Sequence, residues 1–205
     1  MSLTFYYSPM STATITQLVL EELGVPHEKV KLDLKKGETR RPDFLRLNPN
    51  GKVPLVVHDG TPIWESAAIT MYLGEAFGVA KGLYPASGPK RGEAMKWIIW
   101  TNVTLGDSVS RWQRNTSNWT PSEQHNAKAA EAAQADVHHC LGILNEALEG
   151  KQFLTGGYTV VDTHVNSFID WLRFMKVDFS AYPNLNAWSQ RCTARPVYAR
   201  VMTGG

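Results

Sequence analysis

The 205-residue chain carries 21 Lys and Arg against 19 Asp and Glu, with 43% hydrophobic and 20% charged residues, an ordinary globular balance. A net charge of +2 gives no basic field for nucleic acid or an acidic membrane surface, and no apolar run approaches the roughly 20 residues that span a bilayer. The opening reads as a strand rather than a secretory signal, and Cys140 and Cys192 lack metal or redox spacing, so the expectation is a cytoplasmic protein without a metal.

In chain order, "LTFYY" reads as a strand, "TITQLVLEELG" as an amphipathic helix and "HEKVKLDL" as a second strand. Gly24 suits a left-handed helix cap and Pro26 cannot continue the helix. A short helix around "DFLRL" precedes the strand pair "PLVVHDGTPIW", whose Asp59-Gly60 step supplies the positive φ angles of a tight hairpin turn. "SAAITMYLGEAFG" completes a βαβ, helix, ββα order over residues 1–78. Residues 79–89, "VAKGLYPASGP", read as a linker.

From residue 90 to 205 the pattern is helical. "KRGEAMKWIIWTNVTLGDSVSRWQR" and "PSEQHNAKAAEAAQADVHHCLGILNEALEG" are long and periodic. "TVVDTHVNSFIDWLRFM" opens with Thr159 and Asp162 at capping-box spacing, with Asp in the place of the usual Glu or Gln. Pro183 and Pro196 suit the first turns of the last helices. Of the basic and acidic residues, eight and nine fall within the first 80, so neither half is strongly charged. The fold class is a small α/β domain followed by an all-α domain.

Three features of the first half carry chemistry. In "NPNGKVPLV", Pro54 sits just before a buried strand, where it removes a ladder donor. If Val53-Pro54 is cis, the turn presents the backbone N–H and C=O of Val53 to an extended peptide; if trans, Pro54 merely begins the strand. In "IWESAAITMYL", Glu65 and Ser66 open a helix whose first N–H groups favour a carboxylate, although Ser66 also suits a plain cap. In "SPMSTAT", Ser11 and Thr12 stand at a second helix start. Two helix starts and one backbone edge describe a site for an anionic, peptide-like ligand, with Arg40 and Lys52 as candidate cations for its other carboxylate.

The element order, "NPNGKVP", "ESAAIT", "TVVDTHV" and the terminal "PNLNAWSQRCTARP" together resemble a soluble glutathione S-transferase over essentially the whole chain. "PMSTAT" is similar to the opening loop of the phi class and related serine-type enzymes. The resemblance implies a thioredoxin-like domain at 1–78 and a helical domain at 90–205 that contributes the electrophile pocket. It implies a cis Val53-Pro54 step holding the cysteinyl backbone of glutathione, with Glu65 and Ser66 taking the γ-glutamyl end. Arg40 falls where phi-type enzymes hold the glycine carboxylate; Thr39 stands where some of them have His, and Lys52 replaces a common Gln.

The implied chemistry is attack of the glutathione thiolate on a hydrophobic electrophile. A thiol of pKa near 8.5 is only about 3% ionised at pH 7, and lowering it by about two units takes about 2.7 kcal/mol. One hydrogen bond to a charged group supplies roughly 1.5–3 kcal/mol and a helix N-terminus about 0.3–1 kcal/mol. One well-placed hydroxyl is therefore enough. Ser11 aligns with the serine of serine-type enzymes, Tyr7 falls near the phenol of tyrosine-type classes, and Thr12 stands where the beta class has cysteine. Ser11 is expected to cap the helix with its oxygen while its hydrogen faces sulfur.

Met10 is expected to form one wall of the electrophile pocket, and Trp97, Thr101, Leu105, Ser108 and Trp112, recurring at helical spacing, the other. The resemblance also implies a homodimer, with Asp107 reaching the partner's glutathione ammonium. The partners so implied are glutathione, a small electrophile and a second copy, with no nucleic acid and no membrane. Peroxidase, isomerase, dehalogenase or ether-cleaving activity on the same scaffold, or a non-catalytic interaction module, are the competing functions.

Overall fold

The computed structural model describes residues 2–202. Its first half holds β1 (Leu3–Tyr7), α1 (Ala13–Leu23), β2 (Glu28–Lys31), α2 (Pro42–Leu47), β3 (Leu55–His58), β4 (Thr61–Trp64) and α3 (Ser66–Leu73). The strands form one mixed sheet in the order β2-β1-β3-β4, with β1 parallel to β2 and the other pairs antiparallel. This is the thioredoxin-like arrangement. Leu3 and Phe5 are buried on one side of β1, while Tyr6 faces the other and meets Phe44 of α2 edge-on at 5.9 Å.

Local signals place the turns. Gly24 takes the left-handed cap at φ 58°, and its N–H bonds the carbonyls of Glu21 and Leu20. Asp59 and Gly60 turn the β3–β4 hairpin at φ 46° and 82°. The Val53-Pro54 peptide is cis.

The second half contains α4 (Pro89–Trp100), α5 (Gly106–Arg114), α6 (Ala127–Ala147), α7 (Val160–Phe174), α8 (Pro183–Thr193) and α9 (Pro196–Met202). The stretch expected as one helix over "KRGEAMKWIIWTNVTLGDSVSRWQR" is α4 and α5 joined by a π-helical turn at Thr101–Leu105. A similar turn, Gly74–Gly78, extends α3. Segment 79–89 is docked on the first half: Tyr84 is buried and Leu83 N–H bonds Gly78 C=O.

The central element is α7, whose residues from Val160 through Asn166 are all buried, as are Ile169 and Leu172. Its start has the expected reciprocal cap between Thr159 and Asp162. Gly106 lets α5 come close to it: a Cβ there would stand 3.0 Å from the Phe168 ring and 3.1 Å from Thr101 C=O. α7 packs on both α1 and α3, so the helical half rests directly on the helices that carry the candidate site.

Candidate functional site

The site begins where β1 ends. Tyr7 stacks on Phe5 at 5.5 Å, Ser8 is buried, and Met10 turns the chain at φ 55° with its side chain 63% exposed. Ala13 N–H donates to Ser11 Oγ at 3.2 Å, so Ser11 does cap α1. Its own hydrogen is used differently from the expectation: Ser11 Oγ donates to Ser8 C=O at 2.7 Å. Thr12 is exposed, and its hydroxyl makes a long 3.4 Å contact to Val53 C=O. That contact joins the start of α1 to the cis turn.

The turn is organised by Asn48, a buried side chain within "NPNGKVP" that the sequence pattern does not mark as a site residue. Its Nδ2 donates to Lys52 C=O at 2.7 Å, while its Oδ1 accepts from Asn50 N–H and Asn50 Nδ2, each at 3.1 Å. Arg40 reaches across the same loop to Asn50 C=O at 3.3 Å and lies so close to Gly51 that a Cβ there would stand 2.7 Å from Nη1. Gly51 is also at φ 60°, a backbone conformation that favours glycine. Lys52 is exposed beside it, and Thr39 is buried.

Glu65 precedes α3 at φ 70°, a left-handed conformation rare for a side chain of this size, and its carboxylate is exposed. Strain of this kind concentrates where a ligand is held. Ser66, the first residue of α3, is 5% exposed, and its Oγ accepts from Asn102 Nδ2 at 3.0 Å. Asn102 Oδ1 is 2.7 Å from His164 Nε2, and His164 Nδ1 is 2.9 Å from Thr70 Oγ1. Complete burial lowers the His164 pKa to about 3, so the ring is neutral. Neither Asn102 nor His164 carries a local sequence signal that marks it for this role.

Contacts between the helices fix their relative directions at this point. Arg91 bonds Glu75 and Asn102 bonds Ser66, so α4 runs antiparallel to α3 and carries on past the start of that helix. Asn102 pairs with His164 and Gln113 with Met175, so α5 and α7 run side by side in the same direction. Their C-terminal ends therefore stand beyond the helix starts that bear Ser66 and Ser11. There Trp119 stacks on Trp171 at 5.8 Å, and Trp171 on Phe174 at 5.3 Å. Trp119 is 70% exposed and Phe174 64%.

This surface differs from the stripe expected from helical spacing. Trp97, Thr101, Leu105 and Ser108 are buried in the core, with Ser108 donating to Thr104 C=O at 3.0 Å. Trp112 is half-buried, and Met10 is the expected wall residue with an open side chain. Asp107 is exposed and accepts from Arg111 Nε at 2.8 Å. Beside the opening loop lies a cleft of about 430 Å³ lined by Ser8, Pro9, Lys31, Leu32, Lys36 and Glu38 among others. It borders the loop from the β2 side; Ser11, Val53 and Ser66 do not line it.

Residues 1–75 match the model of the glutathione S-transferase N-terminal domain, and residues 94–196 that of the C-terminal domain. The chain belongs to the glutathione S-transferase family. Within that family it is 32% identical to the glutathione S-transferase GstB of Escherichia coli over 188 residues, covering 90% of this chain and 89% of the relative. It is 28% identical to the disulfide-bond oxidoreductase YfcG of the same organism over 206 residues, 96% of this chain and 93% of the relative. A glutathione transferase from Burkholderia graminis, solved with two glutathione molecules bound per subunit, superposes with a TM-score of 0.88 at 25% identity, covering 98% of this chain and 87% of the other. The chain thus matches both a transferase and an oxidoreductase over most of its length.

Proposed function

We propose that this glutathione S-transferase family member binds glutathione along the Val53-Pro54 turn and activates its thiol, at the start of α1, for attack on a hydrophobic electrophile. The observation that carries the reading is the convergence of two helix starts on one turn: Thr12 contacts Val53 C=O, and the pairing of Leu55 with Trp64 brings the strained Glu65 and Ser66 at the start of α3 alongside the same turn. Residues 1–78 form the glutathione half in this reading, 79–89 the connection, and 90–205 the half that receives the electrophile. The γ-glutamyl end meets Glu65 and Ser66, the cysteinyl backbone meets Val53, and Arg40 with Lys52 takes the glycine carboxylate. The bound peptide of the Burkholderia relative supports the ligand assignment.

The serine-type assignment changes in magnitude. The Ser11 hydrogen must leave Ser8 C=O to reach sulfur, so the gain is the difference between a charged bond of roughly 1.5–3 kcal/mol and a neutral one of roughly 0.5–1.5 kcal/mol. That difference of about 1–1.5 kcal/mol is worth about one pKa unit. Thr12, whose 3.4 Å contact costs less to give up, competes for the same role, as does the Tyr7 phenol. The electrophile is best received on the Trp119–Trp171–Phe174 surface together with Met10 and Trp112.

Disulfide exchange is the second reading, favoured by the extent of the match to YfcG. A homodimer also belongs to the proposal, because Met95, Ile99 and Val103 recur every four residues on the outer side of α4 and its following turn and are 43%, 43% and 65% exposed. The compartment we assign is the cytoplasm. Calorimetry with reduced glutathione, followed by parallel assays of aryl-halide conjugation and disulfide reduction, tests the reading. Binding with conjugation supports it, binding with disulfide reduction alone replaces it by the second reading, and no binding removes both.

A further inference from the structure

The chain Ser66–Asn102–His164–Thr70 crosses from the sheet half to the helical half and back, and every link is between 2.7 and 3.0 Å. All four groups can both donate and accept, so the placement of the Asn102 amide sets its direction. Asn102 gives Nδ2–H to Ser66 Oγ, so its Oδ1 faces His164 and needs a donor there. A neutral imidazole has one N–H, and here it must be Nε2–H. Nδ1 is then a lone pair and accepts the Thr70 hydroxyl hydrogen. Thr70, His164 and Asn102 each donate the same way, ending on the Ser66 oxygen, and the hydrogen left over at that end is the hydroxyl hydrogen of Ser66.

We infer that His164 is a positioning residue of the glutathione site: by fixing the Asn102 amide it leaves Ser66 as a pure donor to an incoming carboxylate. The inference rests on the proposed contact between Ser66 and the γ-glutamyl end. With the amide reversed, Asn102 Oδ1 would face Ser66 and accept its hydrogen, and the ligand would meet a lone pair instead of a donor. His164 excludes that arrangement only as the Nε2–H tautomer. The ring is held in this role by complete burial on α7, a helix with its own strong cap, so the half of the molecule far from the peptide ligand determines how one end of that ligand is recognised. It also accounts for a polar side chain in the middle of a helix whose neighbours Val161 and Val165 are fully buried.

Two measurements on the intact chain test the inference. Nitrogen-15 NMR of the histidine ring on the unsubstituted protein reads the tautomer directly; Nε2–H is expected, and Nδ1–H overturns the inference. Glutathione calorimetry and steady-state kinetics on Ser66→Ala, His164→Leu, Asn102→Leu and the Ser66→Ala/His164→Leu pair read its consequence. Each single change is expected to weaken glutathione about tenfold, the loss of one hydrogen bond to a charged group, raising KM while kcat stays within about twofold. The pair is expected to be no weaker than Ser66→Ala alone, because His164 acts only through Ser66. Unsubstituted protein that binds, with Ser66→Ala weakened but His164→Leu unchanged or additive, overturns the inference and leaves the proposed function standing. Failure of the unsubstituted protein to bind glutathione overturns the proposed function instead, and the inference with it.

Discussion

Arg195 and Glu22, 173 positions apart, are joined by two hydrogen bonds of 2.7 Å, from Nε to Oε1 and from Nη2 to Oε2. The pair fastens the start of α9 to the end of α1, and Tyr158 reinforces it by donating to Glu22 Oε1 at 2.9 Å while its ring lies 3.6 Å under the guanidinium. The two partners differ in exposure. Glu22 is 4% exposed and Arg195 33%. Removing the arginine strands a buried carboxylate, whereas removing the carboxylate leaves a guanidinium that water can reach. Arg195→Ala should therefore cost about 3 kcal/mol and Glu22→Gln clearly less. Urea unfolding measures both, and equal losses would contradict the asymmetry.

Asp162 collects four donors: Leu154 N–H at 2.9 Å, Trp188 Nε1–H at 2.9 Å, Thr159 N–H at 3.0 Å and the Thr159 hydroxyl at 3.3 Å. All four surround a carboxylate with no exposure. Asp162→Ala leaves them unpaired in the core, so a loss of about 4 kcal/mol or more is expected, a large share of a typical domain's stability. Asp162→Asn keeps one acceptor and should lose about half as much. Thermal unfolding by circular dichroism compares the three proteins.

Legibility in the sequence depends on the range of the interaction. Thr159 and Asp162 are three residues apart, Asp59 and Gly60 adjacent, and Gly24 caps its own helix, so each left a local signature that the structure reproduces. Asn102 and His164 are 62 positions apart, and nothing near either marks the other. The stripe through Trp97, Leu105 and Ser108 departs from the expectation for a different reason. Trp97, Thr101, Leu105 and Ser108 keep one common face across the π-helical turn at Thr101–Leu105, and that face meets the core. Periodicity identifies a common face without saying whether it meets the core or a cleft, and Leu105 meets the core. The Ser11 hydrogen is not legible locally because its acceptor, Ser8 C=O, depends on how the loop closes.

Burial raises the Asp170 carboxyl from 3.8 to about 6, against the opposing pull of a Tyr198 hydrogen bond and nearby Arg173. Between these values the folded chain holds a proton that the unfolded chain has released, so stability from this residue falls as pH rises from about 4 to 6. The shift amounts to about 3 kcal/mol. Asp170→Asn abolishes the titration. Its unfolding free energy, relative to the unsubstituted protein, should therefore rise by about that amount between pH 4 and 7. A difference that stays constant across this range would refute the assignment.

The apolar stripe on α4 makes the assembly testable. Ile99 is the middle member of Met95, Ile99 and Val103, so Ile99→Asp places a charge at the centre of the proposed contact between copies. A side chain 43% exposed contributes little to the core of its own chain, and the folded subunit should survive. Sedimentation is expected to give twice 22.9 kDa for the unsubstituted protein and 22.9 kDa for Ile99→Asp at micromolar concentration. A 22.9 kDa species in both would leave the stripe without its partner.

The hydroxyl proposed to meet sulfur is separable by three substitutions. Ser11 already caps Ala13 N–H and bonds Ser8 C=O, so Ser11→Ala loses a cap worth about 1 kcal/mol of stability as well as a donor to the thiolate. If the thiolate gains only about one pKa unit from Ser11, conjugation of an aryl halide at neutral pH should fall about tenfold. Glutathione affinity should change less, because the contacts proposed for the peptide lie at Val53, Glu65 and Ser66. The thiol pKa of bound glutathione, followed by thiolate absorbance against pH, should rise in Ser11→Ala. The same titration on Thr12→Val and Tyr7→Phe should match the unsubstituted protein. A rise in Thr12→Val instead would assign the sulfur to the hydroxyl whose bond to Val53 is the longest and weakest in the loop; a rise in Tyr7→Phe would move the chemistry to the end of β1.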